Sequence, residues 1–235
     1  MTTQPPAVLQ AAVVDLDGTM VDTVGDFVAV LARLLDELGL PPVADRAFVE
    51  RTVGKGSAQL VRSVLARAGA DADGAALLAD ALARYQRHYG EVNGRHATVY
   101  PGVAEGLERL SARGLALACL TNKPQAFALA LLQRKGLARH FAHVFGGDTF
   151  ERSKPDPLPL RATCAALGSA PRATLVIGDS ANDVLAARGA GCPVVIVRYG
   201  YNHGRPAAEA GADAVVDRLD EIALDGAAAT FRTPA

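Results

Sequence analysis

Neither sign of charge prevails in this 235-residue chain, where 24 lysines and arginines face 25 aspartates and glutamates. Without a basic excess there is no electrostatic footprint for nucleic acid, and no acidic tail suggests disorder. Cysteine is equally scarce. Cys119, Cys164 and Cys192 lie far apart in sequence, are odd in number and form no CxxC. That pattern argues against a disulfide framework and a zinc site, and predicts a reducing, cytoplasmic setting. His88, His96, His140, His143 and His203 show no metal-ligand spacing and read as surface or structural residues. Long apolar runs are missing too. The opening MTTQPPAVLQ has neither a basic start nor an apolar core, and no stretch is long enough to span a bilayer, so no membrane partner is predicted. Half of the residues are nevertheless hydrophobic, enough for one large domain or for a core with a smaller companion.

What is present is concentrated in the run AAVVDLDGTMVD, Ala11 to Asp22. A buried strand over Ala11 to Leu16 has a period of two, which points Asp15 and Asp17 the same way where the strand runs out. In an open parallel α/β sheet, ligands bind beyond the carboxyl ends of the strands. Two carboxylates gathered there repel one another unless a cation intervenes. A hard divalent ion with oxygen ligands is the natural remedy, and Mg²⁺ fits best where phosphate shares the site. The plain alternative is a turn, because Asp and Gly after an apolar run can simply end a strand.

From Gly25 to about Asn93 the pattern is helical. Phe27, Val30, Leu31, Leu34, Leu35 and Leu38 form one stripe, Leu60, Val61, Val64, Leu65 and Ala68 a second, and Gly74 to about Tyr89 a third helix. No strand is evident there, and hinges are expected near 23–25 and 93–99. From Tyr100 onward helices alternate with the apolar strands Leu115 to Leu120, His143 to Phe145, Thr174 to Ile177 and Val194 to Val197. A weaker strand at Ala214 to Val216 and a helix from Leu219 close the pattern, and the tail AAATFRTPA is expected to be loose. Such alternation predicts an α/β fold: a Rossmann-like, mostly parallel sheet with a helical cap inserted after the first strand. The division is 1–22 and 95–235 for the core and 23–94 for the cap.

Later strands also end in polar residues. One ends in Thr121-Asn122-Lys123, another leads to Ser153-Lys154-Pro155, and a third runs into Gly178-Asp179-Ser180 with Asn182-Asp183 beyond. Singly, Thr121 reads as a helix cap, Lys154 as a loop charge, and Asp179 and Asp183 as decoration of a helix start. Together, a hydroxyl and amide, a lysine and four carboxylates at consecutive strand tips are what phosphoryl transfer through an aspartyl-phosphate requires. The cation offsets the repulsion between a carboxylate nucleophile and an anionic phosphate, and Thr121 and Asn122 can donate hydrogen bonds to phosphate oxygens.

DLDGT, the Thr-Asn pair, SKPDP and GDSANDVLAA together resemble the four motifs of the haloacid dehalogenase superfamily. The resemblance implies Asp15 as nucleophile and Asp17 as the acid that protonates the leaving alcohol and then deprotonates water. It implies Mg²⁺ held by Asp15, the backbone carbonyl of Asp17 and Asp179. Thr121, Asn122 and Lys154 would bind phosphate, with Asp183 supporting Lys154 or the waters of the metal. An acid at position 17 points to a phosphatase or phosphomutase, since the dehalogenases themselves lack it.

TVGKGSAQLV, TNKPQAF, FGGD and RYGYNHG are further similar to bacterial phosphoglycolate phosphatases. That likeness implies a small phosphorylated metabolite, 2-phosphoglycolate, as substrate, with pyrophosphatase or nucleotidase activity and sugar phosphomutase as rival activities of the same scaffold. A β-phosphoglucomutase would carry a cap-hinge histidine where this chain places Phe27. A binding module without catalysis would be expected to lose Asp15 or Asp17. The cap loop Gly54-Lys55-Gly56 would set specificity, Lys55 reaching a substrate carboxylate or lying solvated in a turn. Lys55 departs from the smaller polar residue, such as asparagine, expected there. The assembly expected is a monomer or homodimer.

Overall fold

The computed structural model describes residues 8–71 and 74–224. Strand β1 (Ala11–Val14) is followed by β2 (Val21–Asp22), which pairs antiparallel with β3 (Thr98–Val99). Between the two halves of this ribbon lie α1 (Val24–Glu37), α2 (Arg46–Thr52), α3 (Ser57–Arg67) and α4 (Ala75–Val92). They share a core of their own, in which Phe27, Val30, Leu31 and Leu34 of α1 meet Leu60, Val61 and Val64 of α3 and Tyr85 and Tyr89 of α4. The apolar spacing read as three helices corresponds to α1, α3 and α4. Helix α2 is too short for periodicity to reveal; it starts at Asp45, whose side chain accepts from the Phe48 N–H at 2.7 Å. The ribbon escapes the sequence for the same reason, at two residues a side.

After β3 come α5 (Val103–Ala112), β4 (Ala116–Leu120), α6 (Gln125–Arg134), β5 (His143–Phe145), α7 (Leu158–Ala166), β6 (Thr174–Gly178), α8 (Ala181–Ala190), β7 (Val194–Val197) and β8 (Ala214–Val216). The large sheet runs β5-β4-β1-β6-β7-β8, and every pairing in it is parallel. Its two faces are covered separately. Val14, Cys119 and Ile177 pack with Leu107 of α5 and Leu131 of α6, whereas Val13, Val176 and Val194 pack with Leu160 of α7 and Val184 of α8. Burial on both faces is why these strands read as continuous apolar runs. The free cysteines Cys164 and Cys192 meet against the second face, with sulfurs 3.9 Å apart.

Register positions the site. Val14 lies beside both Cys119 of β4 and Ile177 of β6, so the chain leaves all three strands at one level. Asp15, Thr121 and Asp179 therefore emerge on a single edge. The closing helix expected from Leu219 is a three-residue 3₁₀ turn, Leu219–Glu221. The tail AAATFRTPA lies outside the described residues. None of the described helices is long and apolar enough to cross a membrane.

Candidate active site

Lys154 organises this edge of the sheet. Its buried ammonium donates to Asp15 Oδ1 at 2.7 Å, to Asp183 Oδ1 at 2.6 Å and to the Leu120 carbonyl at 2.8 Å, which spends all three of its N–H groups. The other oxygen of Asp183 accepts from the backbone N–H groups of Asp179 and Ser180 and from the Ser180 hydroxyl, closing a capping box at the start of α8. Asp179 Oδ2 accepts from the Tyr201 N–H at 2.7 Å. Carboxylate oxygens of Asp15, Asp179 and Asp183 all lie within 4.8 Å of one another.

Three buried carboxylates thus face one ammonium. Burial pushes the Asp15 carboxyl up to about 6, with Lys154 pulling the other way and Asp183 adding to the rise. Burial and then the neighbouring Asp183 hold Asp179 well above the ordinary range. For Lys154, burial opposes the charge, but Asp15 and Asp183 outweigh it and keep the ammonium above the usual lysine value. The surplus of negative charge and the all-oxygen donor set fit a hard divalent cation. Two glycines let the chain crowd Asp179: a Cβ on Gly18, whose φ is +86°, would lie 2.3 Å from Asp179 Oδ2, and one on Gly200 would lie 2.1 Å from its Cβ.

Asp17 is held apart from this cluster. Its Oδ1 accepts from Thr23 Oγ1 at 2.7 Å and from Lys123 Nζ at 2.7 Å. Its side chain is therefore absent from the carboxylate group, whose third member is Asp183. Sequence reasoning left Lys123 without a role. Its ammonium lies over the rings of Phe27 and Tyr89, at 4.8 and 4.7 Å, within the interface of insert and sheet edge. The signal in the sequence was its place in TNKP, directly after the strand-tip Thr-Asn pair.

A cavity open to solvent joins these groups. Asp15, Asp17, Thr121, Asn122, Lys123, Lys154, Asp179 and Asp183 line it from the sheet, and Phe27, Val53, Gly54, Gly56 and Tyr89 from the insert. Asn122 and Lys55, two of the expected binding residues, are placed as follows. Both hydrogens of the Asn122 amide are engaged, on the Gly54 carbonyl at 2.8 Å and the Lys154 carbonyl at 2.8 Å, while Asn122 Oδ1 accepts from the Lys154 N–H. The side chain thus holds Lys154 and the insert in place rather than presenting free donors to phosphate. Lys55 is exposed and outside the lining, because the loop turns on Gly54 (φ +103°) and Gly56 (φ +84°) with the Gly54 carbonyl facing inward. That carbonyl also accepts from Asn182 at 3.1 Å, so two core amides grip one atom of the loop. Thr121 is buried, and its oxygen accepts from the Lys123 N–H at 3.2 Å, leaving its hydroxyl proton to donate.

Residues 12–197 match the family model described as haloacid dehalogenase-like hydrolase. A phosphoglycolate phosphatase of Thiobacillus denitrificans is 44% identical over 219 residues, covering 93% of this chain and 96% of that protein. A plasmid-borne phosphoglycolate phosphatase of Cupriavidus necator is 45% identical over 215 residues, or 90% of each. Among solved structures, a predicted phosphoglycolate phosphatase from Haemophilus somnus superposes with a TM-score of 0.82 at 31% identity, covering 92% of this chain and 97% of that one.

Proposed function

Because the chain belongs to the haloacid dehalogenase-like hydrolase family, we propose that it hydrolyses 2-phosphoglycolate to glycolate and phosphate through a phosphorylated Asp15. The observation that carries the chemistry is the separation of two carboxylates two residues apart. Asp15 is buried against Lys154 among acids, and Asp17 is held by Thr23 and Lys123. Environments that differ so much suit different roles. Relatives named phosphoglycolate phosphatase over nearly their whole length support the substrate.

In this reading a carboxylate oxygen of Asp15 attacks phosphorus, the bond from phosphorus to the glycolate oxygen breaks, and Asp17 gives that oxygen its proton. Asp17 then takes a proton from water, whose oxygen attacks the aspartyl-phosphate and releases inorganic phosphate and free Asp15. Lys154 offsets the negative charge that gathers as the phosphoryl group approaches, Thr121 donates from its hydroxyl, and Asn122 keeps Lys154 in position. Mg²⁺ would be held by Asp15, Asp179 and the backbone carbonyl of Asp17, with Asp183 beside it. When bound it supplies the positive charge that lets a carboxylate meet a phosphate. Residues 23–94 serve as a cap over a core of 1–22 and 95–235, and the three free thiols suit a reducing cytoplasm.

Asp15→Asn tests the chemistry. With Mg²⁺ and 2-phosphoglycolate it should form no phosphoenzyme and show no turnover; retained turnover, once deamidation is excluded by mass spectrometry, sinks the nucleophile assignment. A substrate panel of 2-phosphoglycolate, pyrophosphate, nucleoside monophosphates and hexose phosphates tests the specificity, which fails if 2-phosphoglycolate is no better than the others.

A further inference from the structure

Building on the reading of Asp17 as acid and base, we propose that Lys123 selects phosphoesters bearing a carboxylate. On binding, its ammonium passes from Asp17 to the carboxylate of the substrate, and the Tyr89 hydroxyl is the second donor.

Donor bookkeeping separates the two buried lysines. Lys154 has three acceptors and no N–H to spare. Lys123, also buried, has one acceptor among the described residues, Asp17 Oδ1, and otherwise faces the rings of Phe27 and Tyr89. An ammonium buried with two N–H groups unspent is costly unless a ligand completes it. A second unpartnered donor adjoins it. The Tyr89 hydroxyl is buried and has no hydrogen-bond partner among the described residues, and Tyr89 lines the same cavity. Two incomplete donors in one place call for an acceptor with more than one oxygen, and the positive charge calls for an anion.

The surroundings favour that ligand over solvent. Phe27, Tyr89 and Phe127 pack ring against ring there, which makes the medium poorly polarisable and an ion pair strong. Lys123 and Lys154 are the lysines lining the cavity among the described residues, and Lys55 lies outside it. Asp17 is not abandoned when Lys123 leaves, since Thr23 Oγ1 still donates to the same oxygen at 2.7 Å.

The test compares 2-phosphoglycolate with ethyl phosphate, which lacks only the carboxylate charge and oxygens, in the wild type with Mg²⁺ and in Lys123→Met and Tyr89→Phe. Wild-type indifference to the carboxylate overturns the substrate reading and the proposal with it. Given a wild-type preference, Lys123→Met should lose kcat/KM on 2-phosphoglycolate by about 30-fold more than on ethyl phosphate, since it removes a buried ionic contact. Tyr89→Phe should lose selectivity in the same sense, by about fivefold. Equal losses on both esters in Lys123→Met would overturn the proposal while leaving the substrate reading intact, and would reduce Lys123 to a support for Asp17. If melting curves show that Lys123→Met does not fold, unchanged selectivity in Tyr89→Phe overturns the proposal.

Discussion

Replacing Lys154 with methionine keeps most of the side-chain volume and removes the ammonium that bridges Asp15 and Asp183. Breaking a buried ion pair from one side costs about 3–5 kcal/mol, because the remaining charge stays buried without compensation. Here two carboxylates and the Leu120 carbonyl lose their donor together, which argues for the upper part of that range. For a chain of this size, each kcal/mol shifts the melting temperature by about 2–4 °C, so metal-free Lys154→Met should melt on the order of 10 °C below the wild type at pH 7.5. The loss should shrink at pH 5. The Asp15 carboxyl, pushed up to about 6 by burial, takes a proton below that value, and without Lys154 it does so more readily. The wild-type ammonium stays charged across the whole interval. Mg²⁺ at pH 7.5 should restore part of the loss by supplying another cation. Thermal unfolding followed by circular dichroism at the two pH values, with and without Mg²⁺, measures all of this. A drop below about 1 kcal/mol, or an equal drop at pH 5 and 7.5, would refute the charge argument.

Asp15 also makes a prediction for the metal-free wild type. A carboxyl raised from 3.8 to about 6 on folding contributes stability below pH 3.8 that is lost as pH rises through 6, about 3 kcal/mol in all. Asp15→Asn should therefore gain in melting temperature over the wild type as pH goes from 4 to 7, and a constant difference would contradict the assignment. Asp26, fully buried at the start of α1, accepts from the Gly94 N–H at 2.6 Å and the His96 N–H at 2.7 Å, tying the two chain crossings of the insert together. Asp26→Ala leaves both donors without a partner and should cost roughly 2–6 kcal/mol in urea unfolding. Lys55→Ala, outside the cavity, should change kcat/KM on 2-phosphoglycolate by no more than about twofold; a tenfold rise in KM would bring the loop lysine back into the site.

The large sheet was legible because each strand is an apolar run bounded by polar tips, and helical stripes such as Val30, Leu31 and Leu34 repeat long enough to stand out. Short elements were not: β2, β3 and α2 carry too few residues for a period to emerge. At the site, Asp15, Asp17, Thr121 and Asp179 could be named in advance because strand ends are places that sequence can locate, and Lys154 because SKPDP resembles a family motif. Which of their atoms face one another could not. Lys55 looked like the cation of the cap loop by its place between two glycines, yet the loop turns it outward and directs the Gly54 carbonyl to Asn122 and Asn182. Lys123 was given no role from the sequence, yet the insert's rings of Phe27 and Tyr89 close over it.

By itself, then, the sequence determined the family of chemistry, because each motif is a short local pattern, and Asp15, Thr121 and Asp179 follow directly on strand ends. Tertiary structure alone decided how the charges are paired. Lys154 reaches Asp15 across 139 positions and Lys123 reaches Asp17 across 106, and Cys164 meets Cys192 across 28. The strength of such pairs comes from burial and from distances of a few ångströms, which arise only when the sheet edge and the helical insert close on one another.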